Sequence, residues 1–471
     1  MNGPPRHFRP VILAEMIPMR WALGCIACLL VSSVPMFSSL AIAGPSELTA
    51  ATPPPPELPT RGEPPIERTH DDLPAWPMIV RQIDIDDSVP FGTAAIDYHG
   101  RKSKDPIAVL ANRISRGEIQ LEFREPTGYL ESLLDVLNVP RESQLLVFSK
   151  TSVNQRLIRP ENPRAIYFSD DVYVGWVAGA DAIELTGVDP EAGGRFYLLP
   201  QNPDAAPKIE VNSRCLACHV GGTTLDVPGH MVRSFLTDDR GKPIEGYSRI
   251  THDDPLKHRW GGWFVTGTHG ESPHLGNIIG KSEIERAIAN PLAHGNRATL
   301  EDYLPDVGFP TPHSDIVAHL VLDHQAHGQN LITRVAFEEM FGQHSDAEEQ
   351  LLRYLLFADE PRLTADIRGT AGFREAFEQQ GRQTADGRSL RQMNLKTRLF
   401  EHRLSYLVET PPFDALPANV QGRLYRRLWR ALTANPAPPE AAHLAPAERT
   451  AIIEILRETK PNLPNYWRAQ R

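Results

Sequence analysis

The chain has 471 residues, 41% of them hydrophobic and 23% charged, with a formal net charge of −10. That much apolar material can bury a sizeable core, which excludes a disordered polypeptide. No Lys/Arg-rich run or basic domain is present, so the composition argues against a nucleic-acid partner, and mild acidity alone identifies none.

The first 43 residues differ from the rest. Arg20 precedes an apolar run from Trp21 to Leu40, and Ala41-Ile42-Ala43 then stands before Gly44. A positive residue, an apolar stretch and a small-x-small site are the layout of a secretory signal. Residues 1–43 are therefore expected to be a cleaved signal peptide, with a periplasmic or otherwise exported product and no membrane attachment after cleavage. An uncleaved anchor is the alternative, and Met16 or Met19 is an alternative start, because Glu15 and a long extension precede Arg20. Cleavage would remove Cys25 and Cys28, leaving only Cys215 and Cys218 and no disulfide framework. It would also take away three Arg and one Glu, leaving a charge of about −12.

Residues 44–75 are proline-rich, with Pro53-Pro54-Pro55-Pro56 and Pro64-Pro65, and read as an extended linker. Folded structure is expected from Trp76. In the region 76–211, Ile107, Leu110, Ala111 and Ile114 predict one helix and Tyr129, Leu130, Leu133, Leu134 and Leu137 a second. Five β-prone runs follow: 145–148, 165–168, 172–177, 182–185 and 196–199. Turn formers such as Asp170-Asp171, Gly179 and Gly193-Gly194 separate them, which predicts an antiparallel sheet of four or five strands. Residues 212–280 are rich in Gly, His and Trp, with few regular periods. The region 281–471 predicts helices over 283–289, 315–341, 347–357, 390–408, 420–432 and 447–459, the second carrying an amphipathic stripe. The expected fold class is mainly α with a β-rich element, α+β overall.

The chemistry lies in Cys215-Leu216-Ala217-Cys218-His219, a C-x-x-C-H pentapeptide. One turn of chain sets two thiols a vinyl-to-vinyl distance apart and presents an imidazole next to the second, the arrangement that attaches haem covalently and ligates its iron. Two other readings remain open. Zinc would need a fourth ligand, for which His230 is nearest, and a redox-active thiol pair would want a βαβ context and a reactive helix N-terminus. Neither a second C-x-x-C-H nor a nucleophile elbow, P-loop or H-E-x-x-H motif occurs.

The pentapeptide resembles the haem-binding site of c-type cytochromes, and the chain's length resembles that of large exported single-haem proteins containing a cytochrome c domain. The resemblance implies a cytochrome c-like haem site embedded in a larger helical protein. It further implies one covalent haem c, an iron ligated by His219, a redox partner protein and electron transfer. A haem oxidoreductase of peroxidase or oxygenase type with an open distal site, or a haem-based sensor or docking protein, is the alternative. For the distal ligand, Met231, Met340 and Met393 do not have ordinary cytochrome spacing, whereas histidines crowd the downstream region. His269, between Gly267 and Gly270, and His324, mid-helix among apolar neighbours, are the favoured candidates. The segment Arg259-Trp260-Gly261-Gly262-Trp263 is a candidate propionate anchor.

Overall fold

The computed structural model describes residues 91–304, 308–343 and 345–468; the expected signal peptide (1–43) and proline-rich linker (44–75) lie outside them. Helix α1 (Pro106–Ser115) starts where it does because Asp105 accepts hydrogen bonds from the amides of Ile107 and Ala108, and Pro106 needs no donor there. Helix α2 (Leu130–Leu137) buries Leu130, Leu133 and Leu134 on one face, each removal from water contributing roughly 1.5–3 kcal/mol. It ends at Asn138, in the left-handed conformation.

The six strands β1 (Leu145–Val147), β2 (Arg164–Phe168), β3 (Val172–Trp176), β4 (Ala182–Asp189), β5 (Gly193–Pro200) and β6 (Glu210–Val211) lie side by side in sequence order. Every pairing is antiparallel. The first five are the predicted runs; the sixth has two exposed residues and carries no alternation to read. Register sorts the side chains. Ala165, Tyr167, Val174, Trp176 and Leu185 point to the face that packs with Leu110, Leu130 and Leu134 of the first two helices. The opposite face carries two cross-strand rows, Ile166–Gly175–Glu184 and Tyr173–Thr186–Phe196.

A one-turn helix α3 (Leu216–His219) and a hairpin of β7 (Val232–Thr237) and β8 (Pro243–Ile250) follow, the hairpin lying where the sequence shows few periods. After α4 (Gly280–Ala289) comes the long helix α5 (Ile316–Phe341), capped by Asp315 through the amides of Val317 and Ala318 and ended by left-handed Gly342. The expected amphipathic stripe is overturned: α5 is buried around nearly its whole circumference, including His319, Asp323, His324, Gln325, Gln329 and Asn330. It runs through the middle of the molecule, and its polar side chains find protein partners in place of water. Then come α6 (Ala347–Leu355), α7 (Phe373–Gln379), α8 (Pro411–Asp414), α9 (Ala418–Thr433), α10 (Pro446–Thr459) and α11 (Asn465–Arg468).

The helix expected over 390–408 is not formed. Asn394 accepts from the amides of Lys396 and Thr397, Leu395 has φ 57°, and Met393 pairs with Phe400. The apolar residues are buried as the pattern asked, but on a tight turn. The result is an α+β fold in which one core draws on Val147, Trp263, Val321, Phe400 and Trp467, so the three expected regions of the folded part share it. Among the described residues no helix is long and apolar enough to cross a membrane.

Candidate cofactor cleft

Asn212 accepts a hydrogen bond from the amide of Arg214 and opens a short 3-10 turn, Ser213–Cys215, that runs directly into α3. Cys215 and Cys218 therefore sit one turn apart, unbonded to each other, with Cys218 exposed and His219 at the end of the turn. The chain then doubles back. The Gly229 amide donates to the His219 carbonyl at 3.0 Å, and His219 Nδ1 donates to the Gly229 carbonyl at 2.8 Å. That second bond fixes the tautomer: the proton is on Nδ1 and the lone pair is on Nε2.

Helix α5 holds the returning strand in place. Asn330 accepts from the His230 amide at 3.0 Å and donates to the His230 carbonyl at 2.7 Å. The approach is so close that a Cβ on Gly229 would lie 2.1 Å from Asn330 Oδ1, so only glycine fits.

Two adjoining clefts of about 100 and 70 Å³ open between this turn and the second face of the sheet. Both are lined by Arg164, Ile166, His219, Met231 and Trp263; Cys215 borders the larger and Cys218 the smaller. Tyr173, Glu184, Thr186 and Phe196 extend the sheet wall of the larger one, and Phe196 packs on the His219 ring at 4.6 Å.

Burial pulls the His219 pKa down to about 4, with Arg164 and Arg233 adding to the effect and the Gly229 carbonyl opposing it. The ring is neutral at neutral pH, as a metal-ligating imidazole must be. Burial pushes Cys215 up to about 11, with Glu184 contributing, which is the reverse of what a reactive redox thiol requires.

The structure also corrects several expectations. His324 is enclosed in the core, its Nδ1 on His252 Nδ1 at 2.7 Å and its Nε2 on Ser405 Oγ at 2.7 Å, so both ring nitrogens are engaged. His269 packs on His274, and its Nε2 accepts from the Asn296 amide. Gly267 does permit close approach, but of Ile316 on α5. Neither histidine lines the cleft; His230 is the downstream histidine that does. Met340 and Met393 pack in separate apolar clusters. Arg259 and Trp260 both donate to the buried carboxylate of Asp323, away from the cleft, so of the expected propionate anchor only Trp263 reaches it. Among the described residues, no three His, Cys, Asp or Glu side chains converge as ligands for a bare metal ion.

The cleft residues that sequence reasoning missed, Arg164, Glu184 and Phe196, reach it through strand register. Asn330 carried no sequence signal either. Compared with family models, curated proteins and solved structures, the chain finds no match.

Proposed function

We propose that this chain is an exported c-type cytochrome that carries one covalent haem and transfers electrons. Cys215 and Cys218 supply the two thioether tethers and His219 Nε2 the axial ligand. The observation that carries the reading is the His219 Nδ1–Gly229 hydrogen bond, which orients a neutral imidazole and leaves Nε2 free on a ring that borders both clefts.

The residues present fit the group. Cys215 and Cys218 each border one lobe of the cleft, with His219 common to both. A macrocycle supplies four of the iron's ligands itself, so a single histidine suffices where zinc would need a converging set. When bound, the haem supplies one-electron iron chemistry. The chain's own part is to hold the ring, keep the His219 Nδ1–H donating to the Gly229 carbonyl, exclude water with Trp263, Phe196 and Ile166, and leave the Cys218 edge exposed toward a redox partner.

A reductive titration of protein from a host with cytochrome maturation tests the function. The expected result is a reversible uptake of one electron per chain, lost when Cys215 and Cys218 are both replaced by Ala. Haem-loaded protein that no mild reductant or oxidant cycles would overturn the electron-transfer reading.

A further inference from the structure

We propose, resting on the haem reading, that Arg233 receives a carboxylate of the cleft's occupant, with Arg164 as a second donor to the same lobe. Strand β7 aims Arg233 there. Val232 and Ser234 on either side of it are buried, so Arg233 points the other way, where it borders the smaller lobe with Cys218, His219 and Trp263. Its backbone is fixed. The Trp263 indole N–H, expected from the sequence to meet a propionate, donates at 2.7 Å to the Arg233 carbonyl instead.

The charge of Arg233 has no counterpart. Its Nε–H donates at 3.2 Å to the Met231 thioether, a weak acceptor, and its two terminal amino groups have no partner among the described residues. Burial holds its pKa below the ordinary arginine value, and the influence that opposes burial is Cys218, with no carboxylate contributing. A thioether carries no charge, so tethering at Cys218 leaves this guanidinium without a counter-charge from the protein. Arg259, Arg391 and Arg403 are also shielded from water, and each holds a carboxylate: Asp323, Asp170 and Glu448.

Arg164 adds a spare donor. It borders both lobes, its guanidinium lies across Gly175 where any Cβ would collide, and one amino group pairs with Glu184. That pair is neutral, yet the Arg164 Nε–H is buried without an acceptor. The smaller lobe therefore offers one uncompensated positive charge and one unused charge-assisted donor. A carboxylate answers both, being anionic, acceptor-only and planar like the guanidinium. Haem carries carboxylates on its propionate arms, whereas a zinc ion would add positive charge where there is already an excess.

The test uses haem-loaded protein and reads two quantities: the midpoint potential against pH, and the propionate bending bands of the resonance Raman spectrum. An adjacent arginine holds a carboxylate pKa down by roughly one to three units. Arg233→Gln should raise it by that amount, so that the potential falls with rising pH through the raised pKa, and the bands should shift. Arg233→Lys returns the charge without the fork; it should restore most of the unmodified pH profile but not the bands. Should Arg233→Gln fail to load haem, the band shift in Arg233→Lys carries the test. Arg164→Gln should shift the bands less, and Arg240→Gln, which removes an exposed charge from the β7–β8 turn, should change neither quantity. Arg233 variants whose profile and bands match the unmodified protein overturn the inference, as does an effect seen in Arg164→Gln alone. Protein with no covalent haem overturns the haem reading as well, which tells the two failures apart.

Discussion

Asn330, in the middle of α5, grips both backbone groups of His230 one hundred residues earlier in the chain, accepting from its amide at 3.0 Å and donating to its carbonyl at 2.7 Å. This clamp turns the short Gly229–His230 segment into a fixed acceptor for the His219 ring. Asn330→Ala should lose roughly 1–3 kcal/mol of stability, because two buried backbone groups go unsatisfied. It should also broaden the axial-ligand signals of the haem-loaded protein. Denaturant unfolding and NMR or EPR check this, and an unaltered midpoint would show that the clamp is redundant. Gly229→Ala should be at least as damaging, since its Cβ meets the same amide oxygen.

The buried pair Arg259–Asp323 gives a second, independent stability prediction. Arg259 reaches Asp323 at 3.2 Å, and Trp260 donates to the same carboxylate oxygen at 3.0 Å. Asp323→Ala leaves a buried guanidinium without its counter-ion, held only by the His252 and Asp254 carbonyls, and should cost about 3–5 kcal/mol. A loss under 1 kcal/mol in denaturant unfolding would mean that the site rehydrates.

Acid should destabilise the fold through its buried histidines, although buried Asp323 and Asp171, pushed up by burial to about 7 and about 6, take up protons in the same range and oppose part of the effect. Burial lowers the pKa of His319 and of His327 to about 3, against an ordinary value of 6.5. Both are neutral in the folded state, while the unfolded chain binds their protons below pH 6.5. Stability from each is present above pH 6.5 and is lost as pH falls toward 3. Denaturant midpoints should therefore fall between pH 7 and pH 5. His319→Asn should flatten that slope by about one proton, and a slope that its removal leaves unchanged would contradict the assignment.

Export is testable at the N-terminus. Arg20, the apolar run and Ala41-Ile42-Ala43 predict a mature chain beginning at Gly44 in the periplasmic fraction. N-terminal sequencing that finds residues 1–43 still attached on cytoplasmic protein would contradict it.

The sequence was most legible where local chemistry decides structure. The spacing of Ile107, Leu110 and Ile114 marks α1, Asp315 marks the start of α5, and alternating β-formers between turn residues mark β1–β5. It was least legible where burial is tertiary. His324 looked like a free ligand among apolar neighbours, yet its partners Ser405 and His252 lie 81 and 72 residues away. Leu390, Met393, Phe400 and Leu404 keep a helix-like spacing that Asn394 and Leu395 break with a turn. The C-x-x-C-H motif could be read as the centre of the candidate site, because its spacing is local. The Arg164–Glu184 wall could not be read, because only strand register brings it there.

Covalent haem on Cys215 and Cys218 is decided by the intact mass of the denatured protein. Protein made in a host with cytochrome maturation should keep one haem per chain after acid extraction. It should give the pyridine haemochrome of two thioethers and change to that of one thioether in Cys215→Ala. A mass equal to the bare polypeptide, with zinc or a Cys215–Cys218 disulfide in place of the haem, would contradict it.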